Sequence, residues 1–380
     1  MSSSESDSPV PTQIRGPART VVVKVGSSSI TDAAGGVDAS AIGKLCDELA
    51  QLRACGHAVV LVSSGAIASG WAALGGGARP SDPMVLQAVA AVGQHRLMRV
   101  YDDALARHQL HVGQVLLAPL DFAHRQQYLH ARQTLTHLLE LGVVPVVNEN
   151  DATSDDEIRF GDNDRLAALV AHLVAADLLV LLTDTPGLLT ADPRRNAEAS
   201  LIEEVAEVDH ELETVAGGAG TPMGSGGMVS KLAAAKIAAW SGVPTVIADA
   251  RRPGVLSQVL EGRPGAGTVF RARGRRLPAR KLWIAFAVAP SGVLQVDEGA
   301  RRALMDAEAS LLPAGVTAVQ GRFDADDAVE IAGPDGAIFA KGLVRHPSAL
   351  VETWAGRRTS ELPEGATHEV VHRDDLVLLT

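Results

Sequence analysis

The sequence predicts an α/β protein: a three-layer sandwich around a mainly parallel sheet, followed by a small, mostly-β domain. Three observations lead there. From Thr20 onward, short β-branched apolar runs alternate with segments of helical period. Polar, chemistry-bearing segments follow directly on those runs. Beyond about Arg271 the pattern changes to short alternating segments separated by Gly and Pro turns. Alternating strands and helices bury a parallel sheet on both faces, whereas evenly spaced short segments with turn residues mark a separate β-rich unit.

Taken in order, the run TVVVKV at Thr20–Val25 reads as a strand buried on both faces. Ala39–Ala54 carries Ile42, Leu45, Leu49 and Leu52 at helical spacing. AVVLV at 58–62 is a second strand, closed by a Ser-Ser-Gly turn and an Ala-rich helix. A long helix is predicted over 82–107, a strand over 111–117, a helix over 126–141 and a strand over 143–147. An acidic stretch runs through Asp164. It is followed by a helix over 165–176, the strand LLVLL at 178–182, a Gly-rich segment over 217–227, the helix Met228–Trp240 and a strand over 243–248. The basic, Pro-containing segment RARGRRLPARK reads as a linker, and one helix is expected between Ala300 and Ala309. The predicted organisation is a flexible tail at 1–18, a first domain at 19–272, a linker at 273–282 and a second domain at 283–380.

Composition narrows the function classes. A chain of 380 residues with 46 % hydrophobic side chains and 3 % aromatics is globular and long enough for about two or three domains. Its net charge of −11 gives no general attraction to nucleic-acid phosphates. The two cysteines, Cys46 and Cys55, form neither a disulfide framework nor a metal-ligand spacing, which fits a reducing compartment. The polar N-terminus lacks the basic start and apolar run of a secretory leader, and no apolar run approaches the ~20 residues that span a bilayer. The expectation is a cytoplasmic protein without a membrane segment.

Five segments could carry chemistry. Lys24 interrupts an apolar strand just before Gly26 and Ser27. A lysine there is costly without an anionic partner, and a phosphate at the strand's carboxyl end would be one; the plainer reading is a lysine reaching out to the sheet edge. Ser64, in the turn after the second strand, reads as part of an anion-binding corner or as a simple helix cap. Asn148 to Asp151 and Asp162, Asn163 and Asp164 bracket a carboxylate-rich flap containing Asp155, Asp156 and Glu157. Side-chain amides offer donors and acceptors together, so they could read an amino acid's ammonium and carboxylate; the alternative is a solvated acidic loop. Thr183 and Asp184 open a Pro-Gly turn that reads equally as a nucleotide contact or as conformational punctuation. Finally, Ser225, Gly226, Gly227, Met228, Val229, Ser230 and Lys231 combine glycines with a helix N-terminus and a lysine, as phosphate sites do, or form a linker ahead of a helix. P-loop, protein-kinase and nucleophile-elbow motifs are absent. The twelve histidines are scattered; His108 and His111 read as surface groups, and His124, His130 and His137 as polar-face residues of a helix.

In this order, VVVKVG, SSGAIASG, NEND with GDND, TDTPGLLTADP and GSGGMVSK resemble the amino-acid kinase family, and within it the branch that phosphorylates the side-chain carboxylate of glutamate. The resemblance spans about residues 20–270. VDEGA, SLLPAGV and VHRDDLVL resemble a C-terminal PUA domain. The resemblance implies the amino-acid kinase fold, ATP with Mg²⁺, and L-glutamate as acceptor in the first step of proline biosynthesis. It implies that Lys24 and Lys231 bind the ATP phosphates and that Asp164 orients the two lysines. Ser64, Asp151 and Asn163, with Asp162 close by, would hold glutamate; Thr183, Asp184 and residues 225–231 would bind ATP. It also implies a homo-oligomer, dimer or tetramer, with L-proline as feedback inhibitor. PUA domains bind RNA in other proteins, but RNA is not an expected partner of this acidic chain.

Overall fold

In a computed structural model, the described residues are 20–379 without 33–34, 78–79, 154–162, 192–195, 197, 209–211, 213–226, 275, 287, 308 and 364–367. The predicted tail at 1–18 and the acidic flap therefore lie outside the described residues. The chain divides into two compact units, Met1–Arg276 and Leu277–Thr380.

The first unit is built on an eight-stranded sheet. The strands are β1 (Thr20–Val25), β2 (Ala58–Ser63), β3 (Val112–Leu117), β4 (Val144–Glu149), β5 (Leu178–Thr183), β6 (Glu204–Val205), β7 (Thr245–Asp249) and β8 (Thr268–Phe270). Their order is β3-β4-β2-β1-β5-β7-β8-β6, and every pairing is parallel except β7 with β8. The connecting helices include α1 (Ala39–Ala54), α2 (Ala66–Ala73), α3 (Pro83–Ala106), α4 (Pro119–Ala123), α5 (Arg125–Glu140), α6 (Asn163–Leu173), α7 (Met228–Trp240) and α8 (Val255–Leu260). β6, β8 and α8 had no counterpart in the sequence reading; they are only two, three and six residues long.

Strand alternation sorts the two faces. Val21, Val23 and Val25 join a core with Ile42 and Leu49 of α1 and Leu97 and Tyr101 of α3. Val22 and Lys24 point to the opposite face, where α6 packs on β1 and α7 packs on α6. α6 is buried along its length apart from Arg165, so it is an inner helix rather than an amphipathic surface one. α2 and α3 meet backbone to backbone: a Cβ on Gly93 would lie 1.8 Å from the Ala66 carbonyl oxygen, and one on Gly70 would lie 2.0 Å from that of Val89. Helix starts follow side-chain caps. Asp38 accepts from Ser40 N and Ala41 N ahead of α1, and Asp82 accepts from Met84 N ahead of α3.

The second unit holds a five-stranded sheet, β10-β9-β11-β12-β13, from β9 (Gly292–Val296), β10 (Val316–Gly321), β11 (Ala328–Ala332), β12 (Ile338–Val344) and β13 (Val371–Leu378). The helix expected between Ala300 and Ala309 is present as α10 (Glu298–Asp306). The segment read as a linker over 273–282 needs correction: its last part, from Ala279, belongs to α9 (Ala279–Phe286). That helix buries Leu282 and Ile284 completely and packs on β13. Its basic residues and Pro278 hide the short apolar face, because Pro278 accepts the first helical hydrogen bond, from Leu282 N, instead of breaking the helix.

Candidate active site

The parallel register brings the carboxyl ends of β1, β2, β4 and β5 to one edge, where open α/β sheets bind ligands. Lys24 is level with Val62 of β2 and Leu181 of β5. Beyond these ends lies a cavity of about 520 Å³, lined among others by Lys24, Ser64, Asp151, Asn163, Thr183, Asp184 and Lys231.

Asp164, the second residue of α6, is fully buried. Lys24 Nζ lies 2.5 Å from its Oδ1, and Lys231 Nζ lies 3.0 Å from its Oδ2. The two lysines are 2 % and 4 % exposed, so both ammonium groups are withdrawn from water. Ser230 adds a hydroxyl donor 3.1 Å from Oδ2, shared with the Gly227 carbonyl oxygen at 2.8 Å. Asp164 thus bridges the two lysines, and both lysines line the cavity. An anion there offsets part of the cost of withdrawing the ammonium groups from water.

A second cluster is neutral. Asn163 Nδ2 donates to the Ser63 carbonyl at 2.7 Å, to Asn148 Oδ1 at 2.7 Å and to Ser64 Oγ at 3.1 Å. Asn148 Nδ2 donates to Gln94 Oε1 at 2.7 Å, and Asn148 Oδ1 also accepts from Glu149 N at 2.9 Å. Ser63 Oγ is 2.8 Å from the Tyr101 hydroxyl. Burial pushes the Tyr101 phenol well above its ordinary value, against the pull of the Ser63 hydrogen bond, so it stays neutral. The turn itself depends on Gly65, whose φ of +98° strains any residue with a Cβ. At the end of β5, Thr183 Oγ1 donates to Asp184 Oδ1 at 3.2 Å, and the Arg251 guanidinium donates to the Asp184 carbonyl.

Seven of the residues expected from sequence to hold glutamate or ATP thus share one cavity. Asp164 lies behind it, bonded to two of its lining residues. Met228, Val229 and Ser230 form the first turn of α7, following Gly227, and are not part of the described cavity wall. Asp162, Ser225 and Gly226 lie outside the described residues. Sequence reasoning missed Gln94 and Tyr101. The available signal was an amide at helical spacing inside the buried stripe of α3, between Ala90 and Leu97. Among the described residues, no three His, Cys, Asp or Glu side chains converge as a metal site.

Comparison with known proteins agrees with this geometry. Residues 19–249 match the model of the amino acid kinase family, and residues 292–365 match that of the PUA domain. A glutamate 5-kinase of Trichlorobacter lovleyi is 46 % identical over 370 residues, covering 95 % of this chain and 97 % of that protein. A glutamate 5-kinase of Geobacter sp. is 47 % identical over 363 residues, with 94 % and 97 % covered. That of Methylibium petroleiphilum is 47 % identical over 365 residues, with 95 % and 98 % covered. The chain belongs to the amino acid kinase family, in the glutamate 5-kinase group that carries a C-terminal PUA domain.

Proposed function

We propose that the protein transfers the γ-phosphoryl group of ATP to the side-chain carboxylate of L-glutamate, giving L-glutamyl 5-phosphate and ADP, the first step of proline biosynthesis from glutamate. The observation that carries this reading is the Asp164 carboxylate between Lys24 and Lys231, with the neighbouring Asn163 in an amide network on the same cavity. Cations prepared for phosphate and amides prepared for an amino acid then face one space.

A carboxylate oxygen of glutamate attacks the terminal phosphorus. The bond to the bridging oxygen breaks, and its electron pair leaves on ADP. Lys24 and Lys231 offset the charge carried by the transferring group and the leaving oxygen. Asp164 holds both lysines in place without touching the substrates. The attacking carboxylate is ionised at neutral pH, so positioning suffices and no general base is needed. Ser64, Asp151, Asn163 and Asp162 are the glutamate residues in this reading. Lys24, Thr183, Asp184 and residues 225–231 are the ATP residues. Two lysines offset only part of a triphosphate's charge, so a divalent cation fits the site. Mg²⁺ carried by the phosphates would supply the remaining charge neutralisation.

The remaining parts of the reading concern context. The unit over 19–272 carries the chemistry. L-proline is read as feedback inhibitor from the resemblance alone. A homo-oligomer, dimer or tetramer, is supported by Leu116 on the edge strand β3 and by Leu129 and Leu141 of the α5 region, all exposed. No described helix is long and apolar enough to cross a membrane, and a cytoplasmic location fits the two free cysteines. RNA binding by the PUA domain is not expected: residues 277–380 carry fifteen acidic against ten basic side chains. The test is ADP release measured with glutamate, aspartate, acetylglutamate, carbamate and UMP as acceptors. Glutamate-dependent release is expected; release with another acceptor and none with glutamate would overturn the reading.

A further inference from the structure

We infer that Gln94, on α3 and outside the cavity wall, is a positioning residue for the acceptor. It fixes the amide of Asn148, and through it that of Asn163, so that Asn163 offers its carbonyl oxygen to the ammonium group of the amino acid. The inference rests on the proposed function and deepens it.

The hydrogen bonds run in one direction. Gln94 Oε1 accepts from Asn148 Nδ2, and Asn148 Oδ1 accepts from Asn163 Nδ2. A side-chain amide has a donor end and an acceptor end, so turning over one member sets nitrogen against nitrogen or oxygen against oxygen. Asn163 Nδ2 has three oxygen acceptors around it and two hydrogens to give. Its nitrogen is fully used inside the protein. Its oxygen is what remains for a ligand in the cavity that Asn163 lines. An acceptor at that point suits an ammonium group and repels a carboxylate.

Gln94 is 8 % exposed, and its Nε2 is buried without a hydrogen-bond partner. A core position filled for packing alone would take Leu or Met and avoid a buried, unpaired donor, which costs about 1–3 kcal/mol. What the glutamine contributes is the acceptor at its other end, without which Asn148 Nδ2 would be the buried group lacking a partner. The helix that carries it cannot drift. Gly93, the preceding residue, packs against the Ala66 carbonyl at the start of α2, directly after the Ser64–Gly65 turn. Tyr101, two turns further along the same face of α3, holds Ser63. One helix therefore braces both the turn and the amide relay.

The experiment compares wild type with Gln94→Met, which keeps the volume and removes the acceptor, and with Gln94→Glu, which keeps an acceptor at the same reach. KM for glutamate and KM for ATP are measured, together with the inhibition constant of glutarate, which is glutamate without its ammonium group. In Gln94→Met, KM for glutamate should rise about tenfold, the size expected for one misdirected hydrogen bond to a charged group. KM for ATP and the glutarate constant should stay within about twofold, and Gln94→Glu should recover most of the loss. Equal changes for glutamate and glutarate, or no change at all, would overturn the inference. If Gln94→Met fails to fold, Gln94→Asn, which withdraws the amide by one methylene, is read by the same criteria. Wild type inactive on glutamate would instead defeat the proposed function, so the two failures are distinguishable.

Discussion

Lys24 and Lys231 approach one carboxylate from different elements: the first reaches Asp164 Oδ1 from the end of β1, the second reaches Oδ2 from the first turn of α7. Asp164→Asn keeps the shape and removes the carboxylate that bridges them. Turnover should fall by about 10²-fold or more. Midpoint stability in urea should fall by about 3 kcal/mol, because two buried ammonium groups lose their counter-charge. Unchanged turnover would remove Asp164 from the site.

Lys231→Ala separates chemistry from folding. Lys24 still pairs with Asp164, so the fold should persist by far-UV circular dichroism. Turnover should fall by about 10²–10³-fold while KM for glutamate moves only a few-fold. Near-normal turnover would mean that Lys231 serves packing alone.

Gly93→Ala and Gly43→Ala form a matched pair. A Cβ on Gly93 lands 1.8 Å from a backbone oxygen, whereas one on Gly43, within α1, meets nothing within 4 Å. The first should destabilise by about 1–3 kcal/mol or more through overpacking, and should raise KM for glutamate because α3 shifts. The second should stabilise by about 0.5–1 kcal/mol by lowering the freedom of the unfolded chain. Thermal melts of both variants check the sign as well as the size.

His172, on α6, is buried beside Arg276, whose guanidinium donates to the His172 carbonyl at 2.6 Å. Burial, and then the Arg276 and Arg132 charges, lower its pKa from 6.5 to about 4. The folded state therefore keeps the ring neutral, while the unfolded chain protonates it below about 6.5. Between these values the unfolded state binds more protons, so stability should fall as pH drops from about 6.5 towards 4, by about 3 kcal/mol in all. His172→Gln should flatten that part of the profile; an unchanged slope would assign it to other groups.

The two cysteines should differ in reactivity. Burial pushes the Cys46 thiol up to about 12, whereas Cys55 is exposed. A disulfide reagent at pH 8 should titrate one thiol in the native protein and two after unfolding. Rapid reaction of both would show that α1 opens under native conditions.

Much of this was legible in residue order. A β-branched run interrupted by Lys24, a Ser-Ser-Gly turn and helical spacing in Ala39–Ala54 are local signals, and the strands and helices formed close to where those signals lay. The glutamate-type motifs were legible as well, and they led to the family that the comparisons show. Residue patterns alone do not give the juxtapositions. Asp164 was named as the partner of Lys24 and Lys231 by the resemblance only, because its place between them depends on strand order and on α6 lying inside the unit, neither of which has a local signature. Gln94 was not singled out, because its meaning comes from Asn148, in a different element. The α9 helix was hidden for a simpler reason: eight residues with Pro278 and two basic side chains give too little apolar period to read.

The most direct test of the central claim is to trap the product. With ATP, Mg²⁺ and glutamate, hydroxylamine should convert the acyl phosphate to the γ-glutamyl hydroxamate, in step with ADP release. The hydroxamate should be lost in Lys231→Ala and absent without glutamate. ADP release without any hydroxamate, or hydroxamate formed equally by Lys231→Ala, would contradict the account.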